Sequence, residues 1–297
     1  MAEIYPITNT ERLLLTTDGS EFSEGAVREA ISLAKQCSSK LTALSVVEVN
    51  AEFEALAPQF IEKQEKEARQ NLEKVAAQAK KEGVACEYTV FDGEDAYKVI
   101  TDEAAKTKAS MIIMGRRGRK GLKRLVMGSN TARVIGHASC NVLVVPRAAQ
   151  VDFKSVVVAT DGSPFSVAAA SEALGIAKRN KCRLTVVSVV PAELAAPTDI
   201  DFASVSREKL ADAEMQAAEK NAKAVKDAAQ KEGIDVKAFV MTGKPADAII
   251  ETAKDAKADL IVVGSHGRTG LDRLLMGSVA ERVIVLANCA VLVVKGE

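Results

Sequence analysis

The stretch GSHGRTGLDRLLMGS, Gly264 to Ser278, has a double in GRRGRKGLKRLVMGS, Gly115 to Ser129. Each follows a short apolar run and leads into a helix-like segment. Extending the comparison, residues 115–145 match 264–294 at 19 of 31 positions, including Gly-Leu-x-Arg-Leu, Met-Gly-Ser, Arg-Val-Ile and Val-Leu-Val-Val. Nearer each start, RLLLTTDGSEFS (Arg12 to Ser23) answers SVVVATDGSPFS (Ser155 to Ser166). Solenoid repeats run to about 20–50 residues, so a copy this long is a duplicated domain. The expected domains are 1–147 and 153–297, joined near PRAAQVD, Pro146 to Asp152.

One copy alternates two kinds of pattern. Leu13–Thr17 is a β-branched and apolar run, and Ala26, Ala30, Leu33, Ala34 and Cys37 then recur at helical spacing. Leu41–Val47 predicts a second strand. A helix with Ile61, Ala68, Leu72, Val75 and Ala79 on one face is expected to end at Gly83. Strands at Cys86–Phe91, Met111–Met114 and Val142–Val145 follow, with a helix over Asp95–Lys106. The second half repeats the order through Val156–Thr160, Leu184–Val190, Val236–Val240, Leu260–Val263 and Val291–Val294. Continuous apolar strands between amphipathic helices predict a parallel sheet covered on both faces. Right-handed crossovers make it doubly wound. The fold class is therefore α/β: two tandem, doubly wound, five-stranded, Rossmann-like domains. Such sheets take ligands beyond the carboxyl ends of their strands, where strand order reverses. Thr17-Asp18-Gly19-Ser20 and the loop from Gly115 lie at such ends, as do their counterparts in the second copy.

The loop's chemistry suits a phosphate. Glycines after a strand let the backbone approach a ligand closely. Gly277-Ser278 opens the last helix, whose first N–H groups and dipole favour an anion. The serine could cap that helix and donate to a phosphate oxygen. Asp18 or Asp161 could accept from a base amino group or a ribose hydroxyl. A single Gly-x2-Gly is weak evidence, because glycines also serve merely to turn the chain. Stronger phosphate motifs are absent: Gly243-Lys244 runs into Pro245, so it is no P-loop, and no GxGxxG follows a strand.

Composition narrows the classes. Forty basic residues balance forty acidic ones, which weighs against general nucleic-acid binding. No apolar run approaches the roughly 18 residues of a membrane helix, and MAEIYPITNTER lacks a secretory pattern. Five cysteines without a CxxC pair fit a reducing compartment. The expected location is the cytoplasm, with no membrane partner. Two histidines, His137 and His266, leave little for a His-rich metal site. His137 is expected to pack or solvate its helix, whereas His266 lies inside the loop, where a ligand contact is conceivable. Cys140 and Cys289 read as small buried apolar residues, with redox sensing as the other reading. Glu62 to Lys74, EKQEKEARQNLEK, reads as the wet face of a helix.

The paired TDGS strand ends, the Gly-x2-Gly-x9-Gly-Ser loop, the Arg-Val-Ile helix and the closing VLVV strand together resemble the universal stress protein family in its tandem form. The resemblance covers nearly the full length. It implies a fold of the adenine nucleotide alpha-hydrolase type, and ATP binding, because members with this loop bind ATP. Carried over, Thr17, Asp18, Val46, Gly115, Gly118, Gly128, Ser129 and Asn130 form one nucleotide site. Thr160, Asp161, Val189, Gly264, Gly267, Gly277, Ser278 and Val279 form the other. The aspartates match the residue near adenine and ribose, the valines the backbone contact to adenine, and the loops the ribose and phosphate seat. Magnesium is implied as an ion held by the phosphates, not by protein ligands. The implied pairing of last strands would zip Val142–Val145 and Val291–Val294 into an intramolecular pseudo-dimer, with a homodimer as the other arrangement.

The copies depart from the pattern differently. Arg116-Arg117 replace Ser265-His266, Lys120 is added, and Glu48 stands where the second copy has Pro191. The extra cations tighten phosphate binding, admit a different anion, or simply point into solvent. Neither loop has an evident base, paired carboxylates or a nucleophile–His–acid set nearby. The leading expectation is thus a nucleotide-dependent stress-response regulator with at most weak ATP hydrolysis and no catalytic residues. A slow ATPase or adenylyl-transfer relative is one alternative, although TDGSEFS only faintly echoes SGGxDS. A dimerising scaffold with structural or no nucleotide is the other.

Overall fold

A computed structural model of the chain describes residues 10–49, 58–118, 127–192, 202–268 and 276–296, with backbone alone for 202–208. The chain divides into two compact units, one chiefly of residues up to Gln150 and the other chiefly from Val151 on.

In the first unit β1 (Arg12–Thr16) leads through a short 3-10 turn, Glu21–Ser23, to α1 (Glu24–Cys37). Then come β2 (Lys40–Glu48), α2 (Pro58–Lys81), β3 (Cys86–Gly93), α3 (Ala96–Lys106), β4 (Met111–Gly115), α4 (Ser129–His137) and β5 (Asn141–Val145). The strands lie in the order β3-β2-β1-β4-β5. All pairs run parallel, Leu14 standing beside Thr42 on one side and Ile112 on the other. β4 is buried at every position and β1 at all but Arg12, which is why these strands are unbroken apolar runs. β3, at the sheet's edge, alternates half-buried and exposed positions over Cys86–Val90, the pattern of a strand with one wet face.

The helical faces lie where the spacing predicts. Ala26, Ala30, Leu33, Ala34 and Cys37 of α1 are all buried. In α2, Ile61, Leu72, Val75 and Ala79 are buried and Ala68 is partly so. Ile61 and Ala68 pack on Val47, Val49 and Val90. Gly83, just past α2, takes a left-handed φ of +78°, which only glycine adopts without strain. The chain after β5 lies against α1: a Cβ at Gly25 would stand 2.5 Å from the Pro146 carbonyl oxygen. Arg28 donates to the Arg147 and Ala149 carbonyls, and Arg147 pairs with Glu21 and Glu24.

The second unit repeats the plan. It comprises β6 (Ser155–Ala159), α5 (Pro164–Asn180), β7 (Arg183–Pro191), α6 (Phe202–Lys231), β8 (Val236–Gly243), α7 (Pro245–Asp255), β9 (Leu260–Gly264), α8 (Ser278–Leu286) and β10 (Ala290–Val294). Its strand order is β10-β9-β6-β7-β8, with β6, β7, β8 and β9 pairing in parallel. In each unit the first strand has the second on one side and the fourth on the other. The order therefore reverses between β1 and β4, and between β6 and β9. A crevice opens there at the carboxyl ends.

Candidate functional site

Both crevices are built alike. Beyond β1, Thr17 N–H still donates to the Leu44 carbonyl at 3.0 Å, so the strand's pairing carries the chain to Asp18. Gly19 then turns with a φ of +71°. The Asp18 carboxylate accepts from Ser20 N–H at 3.0 Å and from Ser20 Oγ at 2.7 Å through one oxygen, Oδ1. That arrangement is an Asx turn closed by the side chain. The other oxygen, Oδ2, would stand 2.7 Å from a Cβ placed on Gly118. The aspartate thus brings the first-strand turn against the fourth-strand loop, and only a residue without a side chain fits opposite it.

The loop is tied at its other end. Gly128 N–H donates to the Arg116 carbonyl at 3.0 Å, and Thr131 Oγ1 to the Gly115 carbonyl at 3.1 Å. A Cβ on Gly115 would stand 2.7 Å from the Phe22 carbonyl oxygen, and one on Gly128 3.2 Å from Arg117 Cα. The α4 ladder begins with Ala132 N–H donating to the Gly128 carbonyl at 3.1 Å. The N–H groups of Ser129, Asn130 and Thr131 lie ahead of it, at the positive end of the helix dipole. The serine differs from the expectation. Gly128 is itself the N-cap residue, extended at φ −65° and ψ 140°, and Ser129 is the first helical residue. Its hydroxyl comes one position too late to cap. Ser278 stands likewise behind Gly277.

In the second unit Thr160 N–H donates to the Val187 carbonyl at 2.9 Å, and Gly162 turns at +80°. Asp161 Oδ1 accepts from Ser163 N–H at 3.0 Å and Ser163 Oγ at 2.6 Å, while Oδ2 accepts from Arg268 N–H at 3.1 Å. Burial alone would raise the Asp161 pKa, but these bonds, with one from Ser166, outweigh it and hold the carboxyl below its ordinary value. A Cβ on Gly267 would stand 3.0 Å from Asp161 Oδ2. Gly277 N–H closes the loop on the Ser265 carbonyl at 2.9 Å.

Sixteen residues predicted for two sites thus fall into two groups around two crevices. Val46 and Val189 sit late in β2 and β7, two residues before Glu48 and Pro191. The loop side chains behave less as expected. Arg117 does not project into solvent: its guanidinium lies 4.1 Å from the Phe22 ring centre. His266 takes the equivalent place, its ring 4.9 Å from Phe165, buried, with Nδ1 3.0 Å from Ser265 Oγ. These aromatic platforms account for both side chains by packing. Lys120 lies outside the described residues. His137 shares a hydrogen bond with the Arg133 carbonyl and stacks on Tyr97, whereas Cys140 and Cys289 are half-exposed rather than buried.

Sequence reading missed three contributors. Asn71 lies within the charge-rich stretch assigned to the wet face of α2, yet its amide stands 2.3 Å from where a Gly19 Cβ would be. Asn221 of α6 backs Gly162 in the same way, at 2.7 Å. The signal was the recurrence of an asparagine at the matching place in both copies. Glu214 was missed too: it takes both arms of the Arg268 guanidinium, at 3.1 and 2.7 Å, and raises that group's pKa. The first copy has the uncharged Gln64 at the matching position.

The glycine-lined crevice, a carboxylate at its base and N–H groups at a helix start fit a nucleotide's sugar and phosphates. Among the described residues no group of three or more His, Cys, Asp or Glu side chains is gathered as a metal site.

Comparison with known proteins accords with this plan. The model of the universal stress protein family matches twice, over residues 9–146 and 152–295. A universal stress protein of Mycolicibacterium smegmatis is 31% identical over 300 residues, covering 95% of this chain and 96% of its own. One from Methanocaldococcus jannaschii is 41% identical over 145 residues, 48% of this chain and 82% of its own. Among solved structures, a universal stress protein from Archaeoglobus fulgidus superposes with a TM-score of 0.71, covering 99% of this chain and 98% of its own at 21% identity.

Proposed function

The chain belongs to the universal stress protein family, and on that premise we propose that it is a nucleotide-dependent stress-response regulator binding ATP in one or both of its crevices. Residues 1–147 and 153–297 would form the two domains. The observation that carries this reading is the repeated meeting of Asp18 with Gly118, and of Asp161 with Gly267, beside a helix start whose first N–H groups precede the ladder. The aspartates would take the ribose or base, Val46 and Val189 the adenine through their backbone, and Gly128–Asn130 and Gly277–Val279 the phosphates. Gly115, Gly264, Thr17 and Thr160 would shape the strand ends. Magnesium would be carried by the phosphates.

The two domains would associate through their apolar last strands as an intramolecular pseudo-dimer. Five cysteines without a CxxC pair favour a cytoplasmic setting, and among the described residues no helix is long and apolar enough to cross a membrane. Balanced charge disfavours a nucleic-acid partner. The hydroxyl–imidazole pair in the second loop, Ser265 with His266, is buried, so turnover would be weak at most.

The test is to purify the protein, identify any nucleotide that co-purifies, and titrate ATP into wild type, Gly128→Val and Gly277→Val. Each substitution is expected to remove one binding event. Wild type that binds no adenine nucleotide at millimolar concentration would sink the proposal.

A further inference from the structure

The two crevices differ at one place that bears on charge. In the first, Asn130 Nδ2 donates to Glu48 Oε1 at 2.9 Å. This joins the last residue of β2 to the second residue of α4. A carboxylate is thereby held at the helix start, in the field that would otherwise attract a phosphate. In the second crevice the matching residues are Pro191 and Val279. They bring neither charge nor side-chain donor, and Val279 is 38% exposed. Of the first loop's additional arginines, Arg116 is half-buried on the loop. Arg117 carries its charge over Phe22, in the place that His266 occupies in the second unit.

We propose that Glu48, held by Asn130, makes the first crevice select adenine nucleotides by phosphate charge, taking a monophosphate or cyclic monophosphate in preference to a triphosphate. The second crevice takes the triphosphate. The proposal rests on the nucleotide-binding reading above and assigns a ligand class to each of its two sites. Repulsion between like charges grows with the charge on the ligand, so one fixed carboxylate penalises ATP without its magnesium ion more than AMP or cyclic AMP. The chain then responds to two nucleotides at once, one in each domain.

The experiment is calorimetric titration of ATP, AMP and cyclic AMP, without added divalent ion, into the full chain, with the second crevice silenced by Gly277→Val. The first crevice should bind AMP or cyclic AMP about tenfold tighter than ATP, a difference of about 1.4 kcal/mol. Glu48→Gln keeps an acceptor for Asn130 and removes only the charge, so it should erase most of that preference without changing thermal stability. The preference should also shrink as salt is raised. The reverse graft, Pro191→Glu with Val279→Asn in a Gly128→Val chain, should impose the same preference on the second crevice. Native mass spectrometry of the unmodified protein, offered ATP and cyclic AMP together, should find one of each bound, which removes any dependence on the silencing variants. Equal or tighter ATP binding in the first crevice, unmoved by Glu48→Gln, overturns the selection while leaving nucleotide binding intact. Absence of binding by all three ligands in wild type removes both readings.

Discussion

Gly118→Ala tests the packing of the first crevice directly. The added Cβ would stand 2.7 Å from Asp18 Oδ2 and 3.6 Å from its Cγ, so the oxygen must retreat by about 0.7 Å to reach ordinary van der Waals contact. It cannot turn away freely, because Oδ1 of the same carboxylate accepts both Ser20 bonds, at 3.0 and 2.7 Å. Hydrogen bonds to a charged group contribute about 1.5–3 kcal/mol each, but Asp18 is only half-buried and water replaces part of what is lost. The clash is therefore expected to cost about 1–2 kcal/mol. Gly118 is not among the glycines with positive φ, so alanine is otherwise tolerated there and would stabilise by about 0.4–1 kcal/mol through the unfolded chain. Alone, then, Gly118→Ala destabilises by roughly 1 kcal/mol; combined with Asp18→Ala it becomes neutral or stabilising. The assay is urea unfolding followed by tyrosine fluorescence. Tyr5, Tyr88 and Tyr97 all lie in the first half and the chain has no tryptophan, so the signal reports the first domain. A loss that is the same with and without the Asp18 carboxylate would refute the reasoning.

Three further outcomes follow from the same geometry. Gly162→Ala forces a side chain onto a φ of +80° and to within 2.7 Å of the Asn221 amide; it is expected to cost about 1–2 kcal/mol from backbone strain alone, and Asn221→Ala should rescue only the part due to contact, as measured by urea unfolding of the pair and each single variant. Asp161, with a folded pKa below its ordinary value, contributes stability that is present above about pH 4 and lost as pH falls through the folded pKa; Asp161→Asn should therefore flatten the acid limb of a plot of melting temperature against pH. Burial pushes the Cys86 and Cys182 thiols up to about 11, so at pH 8 their thiolate fraction is on the order of a hundredth of an ordinary thiol's; alkylation in the native state, followed by peptide mass mapping, should leave both largely unmodified until the chain is unfolded.

The α/β architecture was legible because its signals are periodic and strong. Met111–Met114 and Val142–Val145 are apolar at every position, and only a strand covered on both faces needs that. Gly83 was legible as the end of α2 because left-handed backbone selects glycine. Side-chain destinations were not. Arg117 and His266 differ in charge and size, yet each lies against a phenylalanine 95 or 101 residues earlier; nothing in local spacing announces a contact made across the crevice. Asn71 shows the same limit. Its neighbours in EKQEKEARQNLEK are charged, and the average polarity of the stretch hid one amide turned toward Gly19.

The duplicated loop therefore has two separable contents. Its glycines answer a geometric demand, since at Gly115, Gly118, Gly128 and their counterparts a Cβ would meet backbone or the crevice carboxylate at 2.7–3.2 Å. That demand is alike in both units, so the spacing can persist in both whatever ligand each unit takes. The side chains on the rim are under no such demand. Glu48 and Asn130 are joined to each other at the first rim, while Pro191 and Val279 offer no polar side-chain group at the second. A shared backbone cradle with different rims would let two domains of one chain keep one mode of binding while diverging in which phosphate they accept. It follows that substituting loop glycines should abolish binding of every nucleotide together, whereas substituting rim residues should change the order of preference among nucleotides and leave the cradle's stability almost untouched.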